Sequence, residues 1–488
     1  MTNIMDAAVS QDQEVVTSPE QPPGQLTLEV GSMAPGGHCI ARYEGHVIFV
    51  RHAIPGETVV AQLTQAGPAG RYWWADTIEV LRASEFRRTH QWKLADSVRA
   101  YAAGRRPIKQ AILGHVVLEH QRRLKGLAFR SAMTRIGHQP FEEAEISVEG
   151  IANDEPAGLH WRTRNTFMVS AGRLSVPVNN STTTVAVRNI PLAVHQLDKL
   201  QLWSIDFTGA ARVEIATPDI GRQALISIIP DPVIAQSNEI FQAHVESWRQ
   251  QVATLPKHVS AMVVTPRRLH EHREIQMLQG QSWVEEQVAC PQWGTRNFRV
   301  SGTAFWHAHR DGPATLVDAV MRAADVKPGQ VVADLYAGAG VFSRYLAEAV
   351  GPTGAVLSVD AAPLASDDAQ YNLQDLTQAI VINSKVKHVL TNWLLIPEAD
   401  FHEGGRNNQQ VDTVVMHPTS VGVGKTVLAA LDQLRPHTIV YVSANPVSLA
   451  RDTRALSSYG WSLESTEAYD LAPETQRLDS VSVFRRPA

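Results

Sequence analysis

Val331-Val332-Ala333-Asp334-Leu335-Tyr336-Ala337-Gly338-Ala339-Gly340 reads as a buried strand that runs into a glycine turn and then into a helix over 341–350. Glycines let a ligand approach the backbone, and the N-terminus of the following helix adds a positive dipole. A dinucleotide-binding fingerprint needs a further glycine or alanine three positions after Gly340, where Ser343 stands, and has no use for Asp334 before the turn. Outward from this stretch, 314–324 is helical in pattern, and Val356–Asp360, Thr413–Met416 and Thr438–Val442 are apolar strands spaced by helical segments. Strands alternating with helices predict a mostly parallel sheet covered on both faces.

The rest of the chain has a different texture. A length of 488 residues corresponds to roughly three domains. Residues 1–24, ending in Ser18-Pro19-Glu20-Gln21-Pro22-Pro23-Gly24, are polar and aperiodic and read as a disordered tail. Short β-like runs follow at 26–30, 39–43, 46–50, 58–63 and 73–81, separated by Gly36-Gly37, Gly45 and Pro55-Gly56, which predicts a small closed β-barrel. An amphipathic helix is expected within 110–136, and a β-rich region over 140–300 whose fold the pattern does not specify.

Composition narrows the function. Apolar residues make up 44% and charged residues 19%, an ordinary globular balance. Two cysteines, Cys39 and Cys290, are too few for a disulfide framework, a four-cysteine zinc site or a cysteine-held iron–sulfur cluster, and a cytoplasmic protein is expected. Neither a signal peptide nor a membrane span is expected from the apolar runs. The net charge of −5 hides a segment, 71–130, with 13 Lys and Arg against 5 Asp and Glu. That segment reads as a polyanion-facing strip or as a solvated helix face.

The spacing D-x3-G-x-G, with Asp360 closing the next strand, resembles the nucleoside-binding edge of class I methyltransferases that use S-adenosylmethionine. The resemblance implies that Gly338 and Gly340 pack under the methionyl part, and that Asp360 accepts hydrogen bonds from both ribose hydroxyls, which its two oxygens suit. It sharpens to the RNA 5-methyluridine methyltransferases over nearly the whole chain after residue 24. Gly36-Gly37, Arg42-Tyr43-Glu44-Gly45, Val47-Ile48-Phe49-Val50 and Ile54-Pro55-Gly56-Glu57 look like a TRAM domain, the RNA-binding barrel of many such enzymes. Trp161-Arg162-Thr163-Arg164 resembles the central-domain signature, Gly302-Thr303-Ala304-Phe305-Trp306-His307 the stretch entering the cofactor site, and the run from Tyr441 to Asp452 the loop that carries the nucleophile.

The resemblance implies a multidomain chain: the tail 1–24, a TRAM (OB-like) β-barrel over 25–84, a basic helical segment and central α+β region over 85–300, and a Rossmann-like α/β methyltransferase domain over 301–488. It implies S-adenosylmethionine held by His307, Asp334, Tyr336, Gly338, Gly340, Asp360 and Asn392, with no iron–sulfur cluster. Its RNA, rRNA or tRNA, is expected on Arg82, Arg87, Arg88, Arg105, Arg106, Arg122, Arg123 and Lys125, with Tyr72, Trp73 and Trp74 available for stacking or as barrel core.

Uracil C5 is too weak a nucleophile to take the methyl unaided, so the family adds a thiolate to C6 first and later removes the C5 proton with a base. Here Ser443-Ala444-Asn445-Pro446 stands where the family has Ser-Cys-Asn-Pro, so the nucleophile's position is Ala444. His417-Pro418-Thr419-Ser420 replaces Asp-Pro-Pro-Arg, and Arg477-Leu478-Asp479 replaces His-Val-Glu. His417 and Asp479 are then either catalytic or polar fillers of vacated space, and Cys290 is a distant substitute thiol. Three readings follow: an RNA methyltransferase acting on a more nucleophilic centre, a non-catalytic RNA-binding relative active in RNA folding or ribosome assembly, and a metabolite-binding module.

Overall fold

The computed structural model describes residues 24–139, 146–220, 223–265, 274–392 and 411–486, so the expected tail lies outside the described residues except for Gly24. The first five runs form the strands Gln25–Glu29, Cys39–Tyr43, His46–Arg51, Thr58–Ala66 and Tyr72–Arg82, paired in the order first, fourth, fifth, third, second. Side chains alternate across a strand, so every second residue, Leu26, Leu28, Ile48, Val50, Val59, Ala61, Trp73 and Ala75 among them, enters one core. Beyond the first strand, Gly31 N donates to Ile40 O at 2.8 Å and Ile40 N to Ser32 O at 3.0 Å, which brings the sheet's two edges together. Trp73 is therefore core, stacked on His46, while Tyr72 and Trp74 cluster with Phe49 on the opposite face.

The helix Leu118–Arg135 is buried on two sides. Leu124 and Ala128 pack into the N-terminal core, and Phe129, Ala132 and Met133 into the core of the C-terminal sheet. Some of its polar residues, Gln121 and Lys125, are also internal, which limits the expected basic strip. Lys125 is 2% exposed, bonded to Asp470 and to Ala472 O. Arg122 lies 3.7 Å from Asp154 and 3.5 Å from Asp470. Arg87 makes two 2.6 Å hydrogen bonds to buried Glu57, and Arg88 bonds Glu474. Arg105 and Arg106 donate to the carbonyls of Leu94 and Asn180. Arg82, paired with Glu29 at 3.0 Å, and Arg123 are exposed. The segment is basic because the chain it packs against is acidic.

The central region is a seven-stranded sheet, in the order Ile275–Gln279, Val259–Val264, Ala224–Pro230, Ala210–Ala216, Arg164–Ser170, Arg173–Pro177, Thr184–Ala186. It is antiparallel except where Ala224–Pro230 and Val259–Val264 run parallel, the helix Asn238–Val252 making the crossover between them. Alternate residues divide between two cores: Val213, Ile226, Ala261 and Val263 face one, Leu225, Met262 and Val264 the other.

The C-terminal sheet has eight strands, in the order Ala379–Asn383, Ala355–Asp360, Val331–Leu335, Thr413–Met416, Thr438–Ser443, Asp479–Arg485, Ser462–Tyr469, Val148–Glu149. The first five are parallel and Asp479–Arg485 is antiparallel to its neighbours, a doubly wound arrangement with helices on both faces. The boundary expected at residue 300 does not follow the packing. Val148–Glu149 supplies this sheet's edge strand, and the hairpin Trp283–Cys290 and Gly294–Ser301 shares a core with the helices Gly312–Ala324 and Val341–Val350. Among the described residues no helix is long and apolar enough to cross a membrane.

Three histidines are buried between the N-terminal sheet and the strand-to-helix connection. His52, His90 and His115 are at most 5% exposed, with ring centroids 5.6–6.3 Å apart. Burial lowers all three, His90 to about 4 and the other two well below the usual value. A folded pKa below the unfolded one means that the unfolded chain binds more protons, so this stability is complete above about pH 6.5 and is lost as pH falls toward 4. Asp334 and Glu474, each raised by burial to about 7, act in the opposite sense over part of that window. The histidine share is therefore read by difference: the fall in the free energy of urea unfolding between pH 7 and pH 5 should be smaller in His115→Gln than in the parent, by up to about 1.4 kcal/mol per pH unit. Equal falls would remove the assignment.

Candidate active site

Parallel strands end together, and the register shows which residues share that edge. Leu335 pairs with Met416 and Met416 with Tyr441, so Tyr336 and His417 leave the sheet at one level, with Ala444 just beyond Ser443. Asp479–Arg485 runs the other way with Ser480 opposite Ser443, which brings its first residue, Asp479, to the same edge.

The glycine turn is shaped by two distinct needs. Gly338 has φ +58° and a Cβ there would meet nothing within 4 Å, so its bare backbone faces open space. Gly340 has φ +81° and its Cβ would come within 3.3 Å of Leu373 and Ala369, so the helix Pro363–Asn372 packs directly on it. Asp360 closes the turn: Oδ2 accepts from Gly338 N at 2.9 Å and Oδ1 from Ala362 N at 2.8 Å. A carboxylate has about four lone-pair sites, so two remain.

Asp334 is placed differently from the expected ligand. It is fully buried beneath the turn, with Oδ2 accepting from Ser343 Oγ at 2.6 Å, and burial pushes its carboxyl up to about 7. Its role is to hold the start of the helix Val341–Val350. Asn392 sits exposed at the end of the helix Val386–Thr391 and, like Asp360, is outside the lining of the small cavity beside the turn. That cavity, about 50 Å³, is lined by Phe305, Trp306, His307, Tyr336, Gly338, Ala339, Phe342 and His417.

At the chemical side of the edge, His307 Nε2 lies 3.5 Å from Asp479 Oδ1. Burial alone would raise the Asp479 carboxyl, but its hydrogen bond and charge interaction with His307, together with the charge of Arg477, outweigh it and hold the group below the usual range. His417 is lowered to about 4, chiefly by burial, and is neutral near pH 7. The ring centroids of Phe305 and Phe342 stand 5.8 and 6.0 Å from that of His417. The group is an ionised carboxylate beside two imidazoles, able to accept a proton.

It offers no nucleophile at position 444. Ser443 and Asn445 fix that loop, with Asn445 N donating to Ser443 Oγ at 3.2 Å and Asn445 Nδ2 to Ser420 O at 2.8 Å, and the side chain between them is a methyl. Cys290, 2% exposed on the hairpin, lies in the core and not on the cavity, and burial raises its thiol. The substitute-thiol idea is thereby set aside. Arg162 donates Nε–H to the Arg164 carbonyl at 2.8 Å, and burial together with the charge of Arg477 lowers it to about 10.

Several supporting residues escaped the sequence reading. Asn372 accepts from Arg299 N and donates to Ala339 O, and Asp368 accepts from Ser301 N and Oγ, which ties the hairpin to the glycine turn. Asn383, opposite Asp360 in the parallel register, donates to the Asp360 carbonyl. Asp452, 1% exposed, accepts from Val423 N at 2.6 Å, Gly424 N at 3.4 Å and Tyr441 Oη at 2.9 Å, clamping the loop after His417. These contacts join residues far apart in the chain, and no spacing reports them.

No family model matches the chain. It is 30% identical over 489 residues to an uncharacterized RNA methyltransferase of Streptomyces coelicolor, covering 98% of this chain and 97% of the relative. It is 29% identical to one of Streptomyces avermitilis, covering 95% and 99%, and 26% identical to one of Bifidobacterium longum, covering 96% and 98%. Among solved structures, a tRNA (uracil-54, C5)-methyltransferase of Pyrococcus abyssi in complex with S-adenosyl-L-homocysteine superposes with a TM-score of 0.64 at 15% identity, covering 94% and 99%, a likeness of fold.

Asp452→Ala leaves three donors without their acceptor. At about 1–3 kcal/mol for each buried unsatisfied group, the variant should lose several kcal/mol in urea unfolding, and proteolysis should open first at 419–424. Parental stability and cleavage would show that the clamp does not hold the loop.

Proposed function

The chain belongs to the RNA methyltransferase family of these relatives, and on that footing we propose that it transfers a methyl group from S-adenosylmethionine to RNA without a cysteine nucleophile. The observation that carries the cofactor half is the bare backbone of Gly338 beside an Asp360 carboxylate with acceptor capacity to spare, which fits a ribose diol and an adjoining chain. Gly338, Gly340, Asp360 and His307 would hold the cofactor, with Asn383 next to the ribose partner. The cofactor supplies an electrophilic methyl.

Everything else falls to the protein's own residues. A methyl at position 444 has no lone pair to add to a pyrimidine C6, so the accepting atom must bring its own, as a ring nitrogen or exocyclic amine does. An exocyclic amine becomes cationic on methylation and sheds a proton that the Asp479 carboxylate can accept, whereas a ring nitrogen that offers a lone pair carries no proton and needs no base. Holding the reactants in place then supplies most of the acceleration. We read the N-terminal sheet as a TRAM-like module, with Tyr72, Phe49 and Trp74 as its stacking face, and the protein as cytoplasmic.

The RNA track follows the cations that are free. A cavity of about 640 Å³ in the central region is lined by Lys93, Arg173 and Arg188 with Trp203, and by no carboxylate. Among the described residues the Lys93 and Arg188 side chains have no hydrogen-bond or ion-pair partner, while Arg173 donates to the Trp203 carbonyl and its charge acts on Asp206. With Arg162 and Arg477 towards the cleft, these cations, Lys93 of the basic segment among them, are the phosphate contacts in this reading.

Incubated with radiolabelled S-adenosylmethionine and total RNA from cells lacking it, the protein should label an N-methylated nucleoside, separated by chromatography and mass spectrometry. Asp360→Ala should lower labelling about 10- to 100-fold, since hydrogen bonds to a charged group are worth about 1.5–3 kcal/mol. Label in 5-methyluridine would overturn the thiolate-free reading, and unlabelled RNA would overturn the enzymatic one.

Replacing Lys93, Arg173 and Arg188 together by alanine should weaken RNA binding and reduce the slope of log affinity against log salt by about 2, at roughly 0.7 per lost phosphate contact on single strands. An unchanged slope would move the RNA elsewhere.

A further inference from the structure

Away from the cleft, three side chains of metal-ligating type converge. Glu155 and His160 lie on the loop that follows Val148–Glu149, and His195 opens the helix His195–Lys199. Their ligand atoms all lie within 4.8 Å of one another. Glu155 Oε2 is 2.9 Å from His160 Nδ1, Glu155 Oε1 is 3.7 Å from His195 Nε2, and the two imidazoles stack with centroids 3.8 Å apart. Tetrahedral zinc with bonds of about 2.0–2.2 Å separates its ligand atoms by roughly 3.3–3.5 Å, between those two distances.

The cluster has features that packing alone does not require. His160 adopts φ +54°, the left-handed region a branched-free glycine would favour, and that conformation turns its ring onto His195 and Glu155. The donor set is two imidazole nitrogens and one carboxylate, brought together from a loop and a helix.

We propose that Glu155, His160 and His195 bind one divalent transition-metal ion of the zinc class, which fastens the loop before the central sheet to the helix His195–Lys199. Imidazole with carboxylate suits zinc, cobalt and nickel, while calcium and magnesium prefer all-oxygen sites. The fastening bears on the cleft, because the neighbouring Asp154 accepts from His309 Nε2 at 2.9 Å and His309 N donates to His307 Nδ1 at 3.2 Å. The ion acts as a structural staple, and methyl transfer does not pass through it.

The full-length protein, stripped with a chelator and dialysed, is titrated with zinc chloride in a calorimeter. One saturable equivalent is expected, with a rise in thermal midpoint, and cobalt(II) should give the intense visible absorption of a four-coordinate site. The double variant Glu155→Gln/His195→Ala alters two side chains that are 38% and 64% exposed, so it should keep the parent's far-UV spectrum and metal-free midpoint. It should lose the equivalent or bind more than about tenfold more weakly, and lose the cobalt bands. His160→Ala should do the same. If the parent shows no saturable equivalent there is no site, and if the variants bind as tightly as the parent the ion sits on others of the 19 histidines; either result overturns the proposal.

Discussion

The contact on which the rest depends is the buried ion pair between Lys125 and Asp470, whose side chains are 1% and 0% exposed. Taking two charges out of water costs several kcal/mol each, offset here by the pair itself, by the Ala472 carbonyl and by Arg122 beside it. Removing one partner of such a pair typically costs about 3–5 kcal/mol, because the other charge stays buried. The pair belongs to a polar seam. Gln121 Nε2 donates to Glu474 Oε1 at 2.7 Å while Glu474 N donates back to Gln121 Oε1 at 2.9 Å, and Arg88 closes on the same carboxylate. The seam fixes the connection from Tyr469 to Asp479, so the helix Leu118–Arg135 sets where the cleft's carboxylate enters. Asp470 N also donates to Glu149 O, which holds the sheet's last strand.

This explains why the charge pattern was legible and its meaning was not. A run of cations records that something negative lies opposite, and a single sequence does not say whether that is a polyanion or another part of the same chain. Here the acids are Glu57, Asp154, Asp470 and Glu474, up to several hundred residues away. Strands were legible for the opposite reason, since alternation and β-branched runs are local. Thr413–Met416 agrees at both ends with the expected run, and Val331–Leu335 with the strand read before the glycine turn. The central sheet was visible as strands but not as a sheet, because pairing order is fixed by contacts such as Ala224–Pro230 against Val259–Val264 across an intervening helix.

The two sides of the cleft differ in what makes them. The turn at Gly338 and Gly340 is a backbone shape: positive φ at both, an open space above one and a helix against the other. Such a shape is written in residue types that only a few conformations require, which is why the spacing found it. The opposite side is made of side chains at strand ends, and there the fold dictates position but not chemistry. The register places residues 417, 444 and 479 together whatever they are. Asp334 marks the limit of spacing as a guide: its carboxylate is turned inward to hold a helix.

What the cleft can do then follows from its charge states. His417, lowered to about 4 by burial, is neutral at physiological pH and adds no cation to the edge. Asp479 remains ionised, held so by His307 and by the charge of Arg477. An ionised carboxylate at this edge is able to take a proton from an amine nitrogen that has just become cationic. The methyl at position 444 points the same way, because it removes the covalent route that would make a carbon centre reactive. The residues that seem lost from a thiolate mechanism are thus mutually consistent with a reaction that has no need of one.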